Sequence, residues 1–327
     1  MAYARIKGIE YYLPKKIVKN NSEDRTVKKI GILQKHIVEE DEYASDLAVN
    51  AAEKLFNNLN LSPNDIDFIL YCTQSPDYLL PTTACMIQNR LGIKTSAGAL
   101  DFNLGCSGYV YGLSMAKGLI ESGQVKNVLL LTGETYSKYI NAKDRSVELL
   151  FGDAGSATFL EYSEIKGIDS FVFGTDGSGG ENLIVPAGGL RKPVNEEALK
   201  EVTDDFGNTR SQANLYMNGA EIFNFTLKEV PKTVNQLLEK HNLTFKDFNR
   251  VIFHQANQHM LKYLQKKAKI PDDLFAIQME DCGNTVSSSI PITLKREIEE
   301  ANIRKGDRLL LVGFGVGYSW AACTLYY

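Results

Sequence analysis

A layered α/β fold built from two related halves is what this sequence predicts, on three observations. Apolar runs bounded by turn residues alternate with helical patterns, which is the mark of sheets covered by helices. That alternation occurs once before about residue 165 and again after it. The two passes also resemble each other: SPNDIDFILYCTQSPD matches TFKDFNRVIFHQANQH, and SGQVKNVLLLTGE matches NIRKGDRLLLVGFG, so a duplicated unit is the economical reading.

In the first half the strands are expected at DFILYC (67–72), AGALDF (97–102), NVLLLTG (127–133) and SATFLEY (156–162), and the helices at 44–58, 82–92 and 107–122. In the second, a helix over 217–241 leads to the strand RVIFHQ (250–255). A helix (258–268), the strand LFAIQM (274–279), a helix (286–301) and the strands RLLLVGFG (308–315) and AACTLYY (321–327) follow. The halves are therefore placed at 1–165 and 166–327. Between them, 175–210 is rich in Gly, Asp, Glu and Asn without a sustained period, and reads as a surface excursion, a candidate lid or rim.

Composition narrows the function. Of 327 residues, 36 are basic and 40 acidic, so no global positive field draws in nucleic acid or an anionic membrane. Neither a signal-peptide apolar stretch nor a membrane-length run occurs, and a cytoplasmic protein is expected. Five cysteines (72, 85, 106, 282, 323) are an odd set and are expected as free thiols. No metal-ligand spacing is present, and no metal is expected.

Cys106, in DFNLGCSGYVYGL, follows a strand and precedes a helix, at an elbow where free N–H groups and the helix dipole favour thiolate. Most cysteines are merely small buried hydrophobes. That bland reading holds for Cys72 and Cys323 inside strands and for Cys85 inside a helix, while Cys282, near a turn, stays between the two. His254 ends a strand at the sheet edge where open α/β folds bind ligands, although a satisfied structural histidine fits equally well. Asn284, in GNTVSSSIP, opens the second-half helix that corresponds to the one after Cys106. Alone it reads as an ordinary N-cap. The loop LLVGFGVGYSW (310–320) carries Gly313, Gly315 and Gly317. A dinucleotide fingerprint must open a helix, whereas this loop precedes a strand, leaving a hairpin turn or a backbone oxyanion donor.

With these residues in view, the chain resembles a ketoacyl-acyl-carrier-protein synthase III-type condensing enzyme of the thiolase superfamily. The likeness runs from IKGIEYYLP through FGDAGSATFL (151–160) and MNGAEIF (217–223) to HQAN (254–257), GNT (283–285) and GFGVGYSW (313–320). It implies a five-layer αβαβα sandwich, a homodimer, and decarboxylative Claisen condensation of an acyl group on Cys106 with a malonyl-type thioester. His254 and Asn284 would donate to the thioester carbonyl. The amides of Cys106 and of the Phe314 to Val316 loop, ending at Val316, would form the acyl oxyanion hole. By the same resemblance Asn257, Gly219 and Phe314 line the pantetheine tunnel, Arg145 helps hold the nucleotide of coenzyme A, and Leu80 lies near a position that shapes the acyl pocket across the dimer. No cofactor is implied beyond coenzyme A or acyl carrier protein thioesters as substrates.

Departures from the family pattern are also legible. Arg25 and Lys29 stand where a tryptophan and an arginine often stack on adenine, so weaker coenzyme A binding is expected. His259 replaces a docking base, with Lys266 and Lys267 nearby, and Val316 interrupts a glycine run. The rival reading is an acyltransferase that passes the Cys106 acyl group to an alcohol or amine. A non-catalytic partner subunit would have little reason to keep Cys, His and Asn together.

Overall fold

Successive side chains of a strand point to opposite faces of its sheet, so a strand apolar on both faces must be covered twice. In the computed structural model, which describes residues 2–327, this rule produces three separate cores and five layers. The first half contains β1 (Tyr3–Tyr12), α1 (Ala44–Leu59), β2 (Phe68–Cys72), α2 (Thr83–Arg90), β3 (Gly98–Phe102), α3 (Gly108–Glu121), β4 (Asn127–Glu134) and β5 (Ala154–Ser163). The second contains β6 (Ile168–Thr175), α4 (Gly219–Lys240), β7 (Arg250–Phe253), α5 (Gln258–Ala268), α6 (Ser289–Glu299), β8 (Arg308–Gly315) and β9 (Ser319–Tyr326).

The sheet orders are β1-β5-β4-β2-β3 and β6-β9-β8-β7, the same arrangement with one strand fewer. Ile69, Tyr71, Leu129 and Leu131 face outward onto α1 and α2. Their neighbours Leu70 and Leu130 face inward, where α3 and α6 lie between the sheets against Leu309 and Leu311. Leu310 and Val312 then point away onto α4 and α5. Every core-facing leucine here is fully buried, and each contributes about 1.5–3 kcal/mol by leaving water.

LFAIQM does not form the expected strand. Only Phe275 bridges to Val251, followed by a bond from Ala276 N to the Val251 carbonyl. The side chain of Gln255 takes over the ladder: its Oε1 accepts from Gln278 N at 2.9 Å and its Nε2 donates to Phe253 O at 2.7 Å. A side-chain amide thus satisfies backbone groups that a fifth strand would pair. The expected helix over 286–301 likewise begins as a 3₁₀ turn, Val286–Ser288, before α6.

β1 and β6 escaped the pattern reading. In β1 the charges of Arg5, Lys7 and Glu10 interrupt the alternation; Glu10 is buried, held by Lys54 of α1 at 2.9 Å and Lys295 of α6 at 2.7 Å. In β6 the outer strand is half exposed. The 175–210 excursion is ordered by two short ladders, Leu183–Ile184 with Tyr216–Met217 and Val202–Thr203 with Thr209–Arg210. All five cysteines are free thiols.

Candidate active site

β2/β4 and β7/β8 are parallel pairs, and the two halves meet beyond them where Phe151 bridges to Asn284 and Ser287 Oγ donates to Glu134 at 2.8 Å. Cys106 lies in the turn from β3 into α3, buried, with Ser107 as the helix N-cap residue. Gly315, the last residue of β8, passes directly against it: a Cβ there would stand 2.8 Å from both Cβ and Sγ of Cys106. Glycine is required for that approach.

The thiol is not activated as the elbow position suggested. Burial, reinforced by the Glu134 carboxylate, pushes Cys106 up to about 12, against the backbone N–H groups of Cys106 itself and of Val316, which pull it down. Desolvation of an anion outweighs the amides in a site this dry. The resting group is a protonated thiol.

His254 follows β7 and extends its ladder, donating its backbone N–H to Val312 O at 2.8 Å. Its ring is buried edge-on to Phe314 at 5.5 Å, and Nδ1 lies 2.7 Å from Ser289 Oγ. Burial lowers its pKa to about 3, with the Val286 backbone the opposing influence, so the imidazole is neutral across the physiological range. We assign Nδ1 as acceptor from the Ser289 hydroxyl, which puts the ring proton on Nε2.

Asn284 is fixed by backbone bonds to the first half: its N–H reaches Leu150 O at 2.9 Å and its carbonyl accepts from Gly152 N at 3.0 Å. Gly283 before it has φ +73, with Leu150 O 2.8 Å from where a Cβ would sit. Asn284 is not the N-cap of α6. Its Oδ1 accepts from Val286 N at 3.0 Å, which leaves Nδ2 as the free end of the carboxamide. Val286 itself holds φ +52, an outlying conformation for a β-branched residue.

Cys106, His254 and Asn284 border one cavity, together with Asn257, Gly219 and Phe314. Asn257 caps α5 through Met260 N at 2.9 Å and Gly219 is the first residue of α4, so two helix starts frame the entrance. Phe223, His259 and Met260 also line it and were not singled out from the sequence as lining residues. Val316 borders a second cavity, which Cys106 does not line. Arg145 does not line the tunnel: it is exposed and paired with Asp24 at 2.5 Å. Leu80 is 82% exposed, in the loop before α2, and lines neither cavity.

Glu134 is the functional candidate that sequence reasoning missed. It ends β4, wholly buried, and accepts from Ser287 Oγ at 2.8 Å, Gln74 N at 3.0 Å and Ser75 Oγ at 3.4 Å. Burial raises it to about 8 against those donors. Its signal was an acid closing an otherwise apolar strand, LLLTGE, where the matching strand of the second half closes on glycine.

A two-sheet αβαβα sandwich with a buried cysteine, histidine and asparagine at the junction of its halves defines a thiolase-fold condensing enzyme. Models of 3-oxoacyl-[acyl-carrier-protein] synthase III match residues 100–177, and of its C-terminal region residues 238–327. The chain is 37% identical over 99% of both sequences to the beta-ketoacyl-[acyl-carrier-protein] synthase III of Clostridium perfringens. Among solved structures, a 3-oxoacyl-(acyl-carrier-protein) synthase III superposes with a TM-score of 0.97 at 47% identity, covering 99% of this chain and 100% of that one. The 3-oxoacyl-(acyl-carrier protein) synthase from Burkholderia xenovorans gives 0.90 at 39% identity, covering 100% of this chain and 95% of that one. The chain belongs to the 3-oxoacyl-[acyl-carrier-protein] synthase III family and is an acyltransferase of the condensing type.

Proposed function

We propose that this protein joins an acyl group held on Cys106 to a malonyl-type thioester with loss of carbon dioxide, giving a 3-oxoacyl thioester. In the first half-reaction the Cys106 thiol attacks the donor thioester, and its proton leaves with the departing pantetheine thiol. In the second, decarboxylation of the malonyl thioester leaves negative charge on its carbonyl oxygen. Two neutral donors, Nε2–H of His254 and Nδ2–H of Asn284, receive that oxygen. Fixed dipoles in a water-poor pocket stabilise such charge without reorganising. The carbanion attacks the acyl-cysteine, whose carbonyl oxygen lies at the N–H groups of Cys106 and Val316, and collapse expels the Cys106 sulfur, which takes up a proton.

The observation that carries this reading is that His254 and Asn284 each spend one end on the protein, at Ser289 and Val286, and keep a donor end for the cavity that holds Cys106. Because burial keeps His254 neutral, it acts as donor and not as proton source.

The thioesters arrive on coenzyme A or on an acyl carrier protein. The basic residues Arg25, Lys28 and Lys29 of the helix Arg25–Ile30, with Lys266 and Lys267 of α5, suit an acidic carrier. A homodimer fits the open edge of β3, where Leu100 is exposed, since an unpaired strand edge invites a second chain. Among the described residues no helix is long and apolar enough to cross a membrane.

Incubation with acyl and malonyl thioesters tests the proposal. An acyl adduct on Cys106 by intact mass, followed by carbon dioxide release and a longer product, is expected. Acyl transfer to an alcohol or amine without carbon dioxide would replace it with the rival acyltransferase reading.

A further inference from the structure

The second cavity is bordered by Val316 and Gln74, with Leu183 bordering both spaces. Its walls differ. One is apolar: Leu183, Ile184, Val185 and Leu215. The other is a hydrogen-bonded row in which Tyr136 Oη donates to Gln74 Oε1 at 2.6 Å and Gln74 Nε2 donates to Asn103 Oδ1 at 3.0 Å.

Gln74 is held at both ends. Its backbone N–H is bound by Glu134 at 3.0 Å and its carbonyl accepts from Tyr139 Oη at 3.1 Å. Its side-chain oxygen packs against the turn that carries Cys106: a Cβ built on Gly105, the preceding residue, would lie 2.5 Å from Gln74 Oε1 and 2.8 Å from Val316 Cγ1. Among the described residues no acceptor takes the second Nε2 proton. The Gln74 amide, fixed through its backbone and through Tyr136 and Asn103, therefore lines the same cavity as Val316, and an acyl chain on Cys106 that passes Val316 enters beside it.

We infer that the acyl unit loaded on Cys106 carries an oxygen substituent close to its carbonyl, a 3-hydroxyacyl group being the simplest case. This rests on the acyl-cysteine reading above and names its substrate class. An alkyl chain filling the cavity would strip water from the Gln74 amide and return no acceptor. A site that hydrogen-bonds a substrate oxygen discriminates strongly against the analogue lacking it, whereas an apolar slot barely senses one methylene. Because the polar row faces an apolar wall, the two enantiomers of a 3-hydroxyacyl group are not equivalent. The loading step itself is balanced: the Cys106 S–H and the donor thioester give the Cys106 thioester and the free coenzyme thiol.

The test is a competition between butyryl-coenzyme A and each enantiomer of 3-hydroxybutyryl-coenzyme A, read as Cys106 adducts by intact mass. One enantiomer is expected to label Cys106 about tenfold or more faster than butyryl. Gln74→Leu combined with Tyr136→Phe removes both members of a hydrogen-bonded pair together, and should bring that ratio to about one or below. Gln74→Met, close in shape, should do the same if the double variant does not fold. Equal or faster labelling by butyryl in the wild type, or a preference that survives these substitutions, overturns the inference while leaving the acyl-cysteine intact. If no donor labels Cys106, the acyl-cysteine reading falls and this inference with it.

Discussion

At matching strand ends the two halves carry different chemistry. β2 runs into Thr73 and β7 into His254; β4 closes on Glu134 and β8 on Gly315. Thr73 spends its hydroxyl on Gly133 O at 2.7 Å and serves the fold, while His254 turns its ring to the tunnel. Glu134 is a buried acid, whereas Gly315 is an absence of side chain that lets backbone touch Cys106. The first half brings the thiol and a carboxyl group, the second brings neutral donors. Burial acts on both alike, raising Cys106 and Glu134 and lowering His254, so a duplicated scaffold has produced a site whose groups rest uncharged or near it.

The largest expected effect falls on the second half. His254→Ala and Asn284→Ala should each lower malonyl decarboxylation and condensation by ~10²–10³, the usual cost of one oxyanion donor, while Cys106 still becomes acylated, though more slowly. Carbon dioxide release and intact mass read the two steps separately. Wild-type condensation in either variant would erase the division between the halves.

Gly315→Ala is expected to come next. The new methyl collides with Cys106, and small displacements of reacting atoms can cost up to ~10²-fold, so a drop of about tenfold or more in acylation rate is predicted. The matching first-half change, Glu134→Gln, keeps the volume and should leave much more activity. Unequal responses in the opposite order would mean that the backbone approach matters less than the carboxyl.

Glu134→Gln should instead change the pH profile. With its pKa raised to about 8, the carboxyl ionises through that region and opposes any anion at Cys106, so an alkaline limb near pH 8 is expected in the wild type and not in the variant. The stability counterpart has a definite sign. An unfolded glutamate ionises near pH 4.5, so the folded protein binds more protons between about 4.5 and 8, and this contribution is lost as pH rises through 8. His254 works at the other end: the unfolded histidine protonates below about 6.5 while the folded one stays neutral to about 3, so stability falls as pH drops across that window. Thermal melts of His254→Gln from pH 7 to 4 should show a shallower acid loss than the wild type.

The smallest effect is expected at Val286→Gly. Relief of the positive-φ strain, worth about 1 kcal/mol or a little more, is offset in part by the greater freedom of glycine in the unfolded chain and by lost packing. Denaturant melts should shift by less than about 2 kcal/mol in either direction. A larger loss would show that Val286 packing, and not only its N–H on Asn284, holds the donor in place.

Much of this architecture was legible because apolar strands and amphipathic helices announce themselves by period: RLLLVGFG and NVLLLTG match each other residue by residue, and the turns after AGALDF and LFAIQM located Cys106 and Asn284. What stayed hidden has physical causes. β1 carries a buried Glu10 whose partners, Lys54 and Lys295, are 44 and 285 residues away, so no local pattern marks it as core. LFAIQM has strand composition, yet the Gln255 side chain occupies its place in the ladder.

By itself the sequence determined the layered α/β class, the duplication, the free thiols and the identities of the three residues that meet in the tunnel, because these depend on residue type, spacing and period. Only the tertiary structure decided their state. Desolvation is a property of everything packed around a group, so the elbow that promised a thiolate holds a thiol, and the histidine that titrates near neutrality in water does not titrate there. Long-range packing also set Glu134 against Ser287 and Gln74, laid Gln74 against the turn that carries Cys106, and drew Arg145 into a pair with Asp24.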